Sequence, residues 1–229
     1  QHTYRYLNWA TTDNPDRVPL VHDAIDQGSC GACWAVAAAG SLEASAARAV
    51  AAKTFQNQML YNQTMTRHEA KQSARIAERG AFETLDLSVQ ELIDCDSRTD
   101  RGCIGGNALL ASDFLHKFGL TSSALYPYTG EEGRCRSNLV QTPIADAQAW
   151  GLLKANNEKH MELALIYIGP VAVGFNGAGL SFLSYESGIF DEPDCHPGAN
   201  HALLVVGFGE EMVNDRLTRY WIARNSWGR

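Results

Sequence analysis

Two cysteines lie close together at the start of a strongly helical stretch. Cys30 and Cys33 are separated by two residues, and Gly28 and Ser29 before them suit a tight loop and a helix N-cap. Residues 33–53 are rich in alanine and other strong helix formers, which predicts a long buried helix with Cys33 in or beside its first turn. Thiols at helix N-termini ionise more readily than free ones, and the thiolate is the nucleophilic form. Cys33 is therefore a candidate nucleophile.

The same cysteines fit two other chemistries by residue type. Cys30 and Cys33 could form a redox C-x-x-C pair, and together with Cys95 and Cys103 they could hold zinc. The redox hypothesis is weakened because the tryptophan follows the second cysteine, whereas redox motifs usually have an aromatic residue before the first. The zinc hypothesis lacks a second C-x-x-C or a nearby histidine pair. A nucleophile would instead need a base and oxyanion donors, which can come from anywhere in the chain.

Composition excludes several classes of protein. The 229 residues allow one large domain or two small ones, and 19 basic against 26 acidic residues give a net charge of -7. That charge argues against binding nucleic acid or anionic lipid, and no apolar run approaches the roughly 18 residues of a membrane span. Six dispersed cysteines are typical of an oxidising compartment, so we expect a lysosomal, vacuolar or secreted protein. The first twenty residues do not resemble a signal peptide.

The two halves of the chain differ in pattern. Beyond the first helix, 54–80 is polar with helical spacing and is interpreted as an inserted helical excursion, and 88–94 opens with a capping-box pattern. Short apolar runs between glycines at 169–175, 202–209 and 219–223 predict strands, with a connecting loop at 210–217. A helix-rich half followed by a strand-rich half predicts an α+β protein with two lobes and a cleft between them.

Seven short blocks together resemble the papain and cathepsin family of cysteine peptidases, whose signature around the nucleophile is C-G-[SA]-C-[WY]. They occur in the order found in that family, from about Trp9 to the last residue. The resemblance implies a papain-like α+β fold, with a helical N-terminal lobe, an antiparallel β-barrel-like C-terminal lobe and the active site in the cleft. The blocks are QGSCGACW at 27–34, SVQELIDC at 88–95, GCIGG at 102–106, YPY at 126–128, NHA at 200–202, VGFG at 206–209 and RNSWG at 224–228.

The resemblance also implies a catalytic role for four residues. Cys33 would attack the scissile carbonyl, and His201 would hold it as a thiolate and then protonate the leaving amine. Asn225 would orient His201, and Gln27 would form the oxyanion hole with the backbone N–H of Cys33. His196 is a weaker candidate base because it lies in a turn-like setting. The residues that match the family's substrate-binding and shielding positions are Gly105, Gly106, Gly174, Asn200, Ala202 and Trp227.

Domain boundaries and disulfides follow from the same resemblance. It implies an N-terminal segment, 1–18, that crosses to the second lobe, a helical lobe at 19–145 that contains the excursion 54–80, and a β-rich lobe at 146–229. The family pairing would join Cys30 to Cys103 and Cys95 to Cys135. Cys195 would be left over, since its family partner lies beyond Arg229, and the second lobe is expected to be incomplete there.

The implied partners are peptide or protein substrates, the chain's own propeptide and cystatin-like inhibitors, without a metal or other cofactor. The excursion 54–80 is either a solvated helix or a docking site for a partner. A catalytically silent papain-like module, used for binding or assembly, is the alternative from another class. Such a protein usually lacks the nucleophile, the base or the oxyanion residue. Since Gln27, Cys33, His201 and Asn225 are all present, a peptidase is the preferred interpretation.

Overall fold

A computed structural model of the chain describes residues 5–140, 142–193 and 195–228. Helices and strands segregate along the chain as predicted, giving an α+β fold. Among the described helices, none is both long and apolar enough to cross a membrane. In chain order the elements are β1 Leu7–Asn8, α1 Cys33–Tyr61, α2 Arg67–Thr84, α3 Val89–Cys95, a 3₁₀ turn at Gly102–Ile104, α4 Ala108–Lys117, α5 Glu158–Tyr167, β2 Val171–Phe175, α6 Leu180–Leu183, β3 His201–Val213 and β4 Arg216–Arg224.

The central helix α1 begins at Cys33, as the sequence predicts, with Ala32 as its N-cap. No side chain caps it, so the expectation of a serine cap is wrong. Alanine covers several faces of α1, which lets the sheet and neighbouring helices approach closely, and the residues next to Cys33 are fully buried. Gly40 costs helix stability but is required here, because a Cβ at this position would collide with the Leu204 and Arg224 side chains of the sheet.

The excursion forms a helical hairpin. The prediction that the first helix ends near Lys53 is wrong, because α1 continues to Tyr61 through a stretch that lacks glycine and proline. A short turn then leads into α2, which starts with a capping box between Thr66 and Glu69. Helix α2 packs back along α1 through the buried residues Ala70 and Ala74. The two helices of the hairpin therefore pack against each other, and the turn between them is exposed to solvent.

The second capping motif is only half formed. The Ser88 side chain accepts a hydrogen bond from the Glu91 N–H, as the sequence predicts for the start of α3. The Glu91 carboxylate does not return to Ser88 but accepts from the Thr121 N–H at 2.8 Å. The Ser88 N–H instead donates to the Thr121 carbonyl. Tertiary pairing with this neighbouring segment replaces the local bond.

The strand-rich half is an open antiparallel sheet in the described residues, not the barrel-like lobe expected from the family resemblance. Strand β3 is central: β4 pairs along one edge, and β2 and β1 pair with successive parts of β3. The N-terminal strand β1 places Leu7 opposite Phe208, so the start of the described chain is attached to the sheet. Trp9 then donates from its indole N–H to the Leu165 carbonyl at 2.8 Å.

The connection between β3 and β4 is shorter than expected. The predicted loop at 210–217 is wrong, because the strands continue and are joined by a two-residue turn. Asn214 and Asp215 occupy this turn with φ of 49° and 61°. These residue types tolerate the left-handed region, and two such residues in succession give the hairpin turn that matches strand twist. Polar side chains along 210–217 therefore belong to an exposed ribbon.

Two disulfides stabilise the helical half. Cys30 is bonded to Cys103 and Cys95 to Cys135, the pairs that the family resemblance implies. Cys33 and Cys195 are free thiols, the first half-buried and the second exposed. These bonds contradict both alternative chemistries of the cysteines. Cys30 is bonded to a residue other than Cys33, and three of the four thiols of the hypothetical zinc site are oxidised.

Buried carboxyl groups make the fold sensitive to alkaline pH. Glu43, Glu78 and Glu91 are almost fully buried. Burial raises the pKa of Glu43 to about 8, that of Glu78 to about 8 and that of Glu91 to about 7. The folded state therefore binds these protons more tightly than the unfolded state, in which the glutamate pKa is about 4.3. The stability they contribute is complete below the unfolded pKa and is lost as the pH rises through about 7 to 8.

We expect the thermal midpoint of unfolding to be several degrees lower at pH 8.5 than at pH 5. Glu91→Gln should reduce this difference, because glutamine can still accept the Thr121 N–H but does not ionise. Glu83→Gln, at an exposed position of α2, is the matched control and should leave the difference unchanged. Differential scanning calorimetry at both pH values measures it. A midpoint that rises with pH would contradict the assignment of these buried carboxyls.

Candidate active site

Cys33 is positioned by a loop that is fixed at both sides. The Cys30–Cys103 disulfide and a 2.9 Å hydrogen bond from the Gly31 N–H to the Cys103 carbonyl attach the loop to the 3₁₀ turn. Helix α1 then begins at Cys33 itself. Within the described residues the Cys33 N–H has no hydrogen-bond acceptor. The free thiol and this amide are thus both at the positive end of a 29-residue helix.

Gln27 is held by contacts to both halves of the fold. Its side-chain amide donates to the Cys30 carbonyl at 2.8 Å, and its side-chain oxygen accepts from the Ser226 hydroxyl. Its backbone N–H donates to the Ser226 carbonyl at 2.8 Å, and the Tyr128 hydroxyl donates to its carbonyl. Only one of the two N–H groups on the amide is used by these bonds. The other N–H has no acceptor among the described residues.

His201 is the first residue of β3 and is nearly buried. Its Nε2 lies 2.7 Å from Asn225 Oδ1, at the end of the neighbouring strand β4. That oxygen also accepts from the Ser226 N–H at 2.8 Å, which identifies it as the acceptor. His201 therefore donates from Nε2, and in the neutral ring Nδ1 is the basic nitrogen. Burial lowers the pKa of His201, and the hydrogen bond to Asn225 partly opposes this effect.

Aromatic rings cover the bond between His201 and Asn225. The Trp227 and His201 rings have centroids 4.7 Å apart and an interplanar angle of 30°. Phe182 of α6 packs against Trp227 at 5.3 Å and against Phe175 at 4.7 Å. Trp227 also pairs through its backbone with Asp26, the residue before Gln27. The prediction that Trp227 shields the His201–Asn225 bond is compatible with this ring contact.

Arg224 links the sheet to the helix that carries Cys33. Its guanidinium donates to the Val36 carbonyl at 3.3 Å, in the first turn of α1, and to the His22 carbonyl at 3.2 Å. The buried Glu43 carboxyl interacts electrostatically with the Arg224 guanidinium and accepts a hydrogen bond from the Leu87 N–H at 2.9 Å. Since Arg224 precedes Asn225, these bonds fix the Asn225–His201 pair relative to the start of α1.

Comparison with known proteins shows the family of the chain. The family model described as "Papain family cysteine protease" matches residues 8–67 and 63–229. The chain belongs to the papain family of cysteine proteases. Thiol protease SEN102 of Hemerocallis sp. is 32% identical over 203 residues, which cover 89% of this chain and 46% of the relative. Cathepsin R of Mus musculus is 33% identical over 207 residues, which cover 89% and 52%.

A solved structure gives the same result for the fold. The cysteine protease CMS1MS2 of Carica candamarcensis, crystallised in complex with E-64, has a TM-score of 0.68 and 25% sequence identity to this chain. The match covers 99% of this chain and 84% of that one. The chain spans about half the length of the curated relatives that it matches. The two matched segments overlap at 63–67, in the turn between α1 and α2 and at the first residue of α2.

The residues predicted to bind substrate lie after the 3₁₀ turn and around the β2–β3 pair. Gly105 and Gly106 follow the 3₁₀ turn, and a Cβ at Gly106 would lie 2.6 Å from the ring of Trp34, the neighbour of Cys33. Gly174 and Ala202 face each other across the β2–β3 pair, next to His201. Asn200 bonds through its side chain to the Gly177 N–H at 2.9 Å and so shapes the loop after β2.

Several residues at the site were not predicted from the sequence. Ser226, Arg224 and Glu43 hold Gln27, Asn225 and α1 in place, and Phe182 covers Trp227. Glu43 is a charged residue in an alanine-rich helix, and this contrast could have predicted a buried charge with a specific partner. Phe182 lies in a turn-rich stretch and has no distinguishing pattern. Among the described residues, no group of three or more His, Cys, Asp or Glu side chains is placed to hold a metal.

Proposed function

We propose that this chain hydrolyses peptide bonds as a cysteine peptidase, with Cys33, His201, Asn225 and Gln27 as its catalytic residues. The observation that carries the proposal is the 2.7 Å bond between His201 Nε2 and Asn225 Oδ1. It leaves Nδ1 as the basic nitrogen, in a strand pair that is hydrogen-bonded to the first turn of the helix bearing the free Cys33 thiol. Cysteine nucleophiles with an imidazole base oriented by a third group use this arrangement.

In the first half of the reaction, His201 Nδ1 holds the thiol proton in a thiolate–imidazolium pair, and the Cys33 sulfur attacks the carbonyl carbon of the substrate. A C–S bond forms, and the electron pair of the C=O bond moves to oxygen. The Cys33 N–H and the remaining amide N–H of Gln27 donate to this oxyanion. The C–N bond then breaks, and the proton held on Nδ1 goes to the leaving amine.

In the second half, a water molecule hydrolyses the thioester. His201 Nδ1 removes a proton from the water as its oxygen attacks the carbonyl carbon, and the same oxyanion donors act again. The C–S bond breaks, the carboxylic acid product leaves, and the proton on the ring returns Cys33 and His201 to their initial state. Asn225 keeps the ring in one orientation throughout, because its oxygen accepts the Nε2–H in both ring states.

The proposed substrates are peptides or proteins that bind in an extended conformation along Gly105 and Gly106. Glycine lets another backbone approach closely, and a Cβ added at Gly105 would meet nothing within 4 Å, so this position is open to a ligand. Small side chains at Gly174 and Ala202 would admit a bulky apolar or aromatic substrate side chain. Propeptide and cystatin-like inhibitors would bind the same cleft. Two disulfides support a lysosomal, vacuolar or secreted location.

A fluorogenic peptide amide tests the proposal. We expect hydrolysis that stops when an epoxysuccinyl inhibitor is added, and mass spectrometry should find one inhibitor per chain on Cys33. Cys195, the other free and more exposed thiol, is an internal control and should remain unlabelled. A folded chain that neither cleaves the peptide nor reacts at Cys33 would instead support the silent binding module.

Gln27→Ala is expected to lower kcat by roughly 10²-fold with little change in KM, because the amide donates to an oxyanion that exists only after attack. Steady-state kinetics on the same fluorogenic peptide measures both constants. Ser226→Ala is the matched control: it removes the hydroxyl that holds the Gln27 oxygen but keeps the donor, so we expect a smaller loss. A rise in KM with unchanged kcat would remove Gln27 from the oxyanion hole.

A further inference from the structure

A groove runs between α1 and α2, outside the catalytic machinery. Its volume is about 610 Å³, and it is called the hairpin groove below. It is lined by α1 from Ser45 to Phe55 and by α2 from Arg67 to Glu78, together with Asp16, Tyr167 and Ile168. Ser45 is three turns beyond Cys33, roughly 18 Å along the helix axis.

The α2 side of the hairpin groove carries a row of cations. Arg67, Lys71 and Arg75 are spaced by four residues, so they lie on one face of the helix. In the part of the chain that the structure describes, none of the three forms an ion pair. Like charges at this spacing disfavour a helix. The row is therefore a local concentration of positive charge on a chain whose net charge is -7.

The acidic residues of the groove do not neutralise this row. Asp16 is paired with Arg48 at 2.8 Å, and Arg48 also lies over the Trp9 ring. Glu78 is 1% exposed, and one of its carboxyl oxygens has no hydrogen-bond partner. Burial and the nearby Asp16 charge raise the pKa of Glu78 to about 8, so it is mostly neutral in mild acid. The groove thus combines three free cations with one buried, unused acceptor.

The other wall of the groove is apolar. Tyr167 is 73% exposed and Ile168 61% exposed, and Phe55 of α1 is half-buried. Large apolar side chains beside a row of cations match a ligand that has carboxylates and apolar side chains on one segment. An acidic peptide has both, whereas a sulfated polysaccharide has no large apolar group.

We propose that the hairpin groove binds an acidic peptide segment of a partner protein, with carboxylates on Arg67, Lys71 and Arg75 and an apolar side chain against Tyr167 and Ile168. The site is separate from the proposed peptidase function and does not depend on it. The α1–α2 hairpin is accordingly a docking element rather than a solvated insertion.

The probe for this site is a short, fluorescein-labelled copolymer of glutamate and tyrosine, and its binding is measured by fluorescence anisotropy. The whole chain is used as the Cys33→Ala variant, so that the probe cannot be cleaved. We expect saturable binding, weakened at least about tenfold by Lys71→Glu/Arg75→Glu. Arg98→Glu/Lys154→Glu makes the same change in net charge at exposed positions away from the groove and should have little effect. If the double variant does not fold, Arg67→Glu, at an exposed position, replaces it.

A second pair of variants distinguishes a peptide from any polyanion. Ile168→Ser should weaken binding of the copolymer severalfold, whereas Leu152→Ser, at an exposed leucine outside the groove, should not. Equal losses in the groove and control charge variants, or no saturable binding, would overturn the proposal. So would tighter binding of heparin than of the copolymer combined with no effect of Ile168→Ser, because the groove would then recognise charge alone.

Discussion

Cys33→Ala should abolish hydrolysis of a peptide amide, with kcat/KM falling to the background rate. The expected loss is on the order of 10⁶-fold, since removal of a covalent nucleophile eliminates the acyl-enzyme route and leaves only binding and the oxyanion donors. Folding should be unaffected, because Cys33 is a half-buried free thiol without a disulfide. Steady-state kinetics at high enzyme concentration measures the residual rate.

Two other cysteine variants serve as controls for this result. Cys195→Ala removes the other free thiol and should retain wild-type kcat/KM. Cys30→Ala removes the bond to Cys103, which closes a loop with a sequence separation of 73, and should cost about 4 kcal/mol in the chain-entropy account of disulfides. Its main effect should be on folding yield. Cleavage by Cys33→Ala at the wild-type rate would refute the mechanism.

His201→Ala has the second largest expected effect, a loss in kcat/KM on the order of 10⁴-fold or more. The variant lacks both the base that ionises the thiol and the acid that protonates the leaving amine. Its KM should change little, because the imidazole acts on the reacting atoms rather than holding the substrate. Rates measured between pH 5 and pH 9 should recover partly at alkaline pH, where hydroxide ionises the thiol.

His196→Ala is the matched control for His201→Ala. His196 lies five residues away at an exposed position, and its contribution to the loop is a carbonyl bond to the Asn176 side chain, which alanine retains. Wild-type kinetics are expected. A large loss of activity in His196→Ala together with a small loss in His201→Ala would show that His196, and not His201, is the base.

Much of the site could be predicted from the sequence because its parts are short local motifs. The helix start at Cys33 follows from a glycine-rich loop before an alanine-rich run, and the strand ends that carry His201 and Asn225 follow from apolar runs between glycines. The family's blocks then relate motifs that are distant in sequence. Local patterns cannot do this, because the bond between His201 and Asn225 depends on strand register.

The misses share a physical cause, which is that tertiary contacts decided the outcome. Residues 54–61 mix polar and apolar side chains without a clear period, yet α1 continues through them and α2 packs along it. Residues 210–217 are mostly charged or polar, but cross-strand pairing and two left-handed turn residues extend the hairpin. The Glu91 carboxylate accepts a hydrogen bond from the backbone of a neighbouring segment rather than from the N-terminus of its own helix. The Arg224 guanidinium donates hydrogen bonds to backbone carbonyls of two segments that are distant in sequence, and no local sequence pattern predicts such contacts.

The rate at which Cys33 reacts with iodoacetamide at pH 5.5 tests the central claim most directly. If His201 holds Cys33 as a thiolate, Cys33 should be alkylated at least about 100-fold faster than Cys195 in the same molecule, because an ordinary thiol is almost fully protonated at this pH. Quantitative mass spectrometry of the two cysteine peptides gives both rates in one experiment. In His201→Ala the two rates should become similar. Equal rates for Cys33 and Cys195 in the wild-type chain would show that no thiolate–imidazolium pair exists.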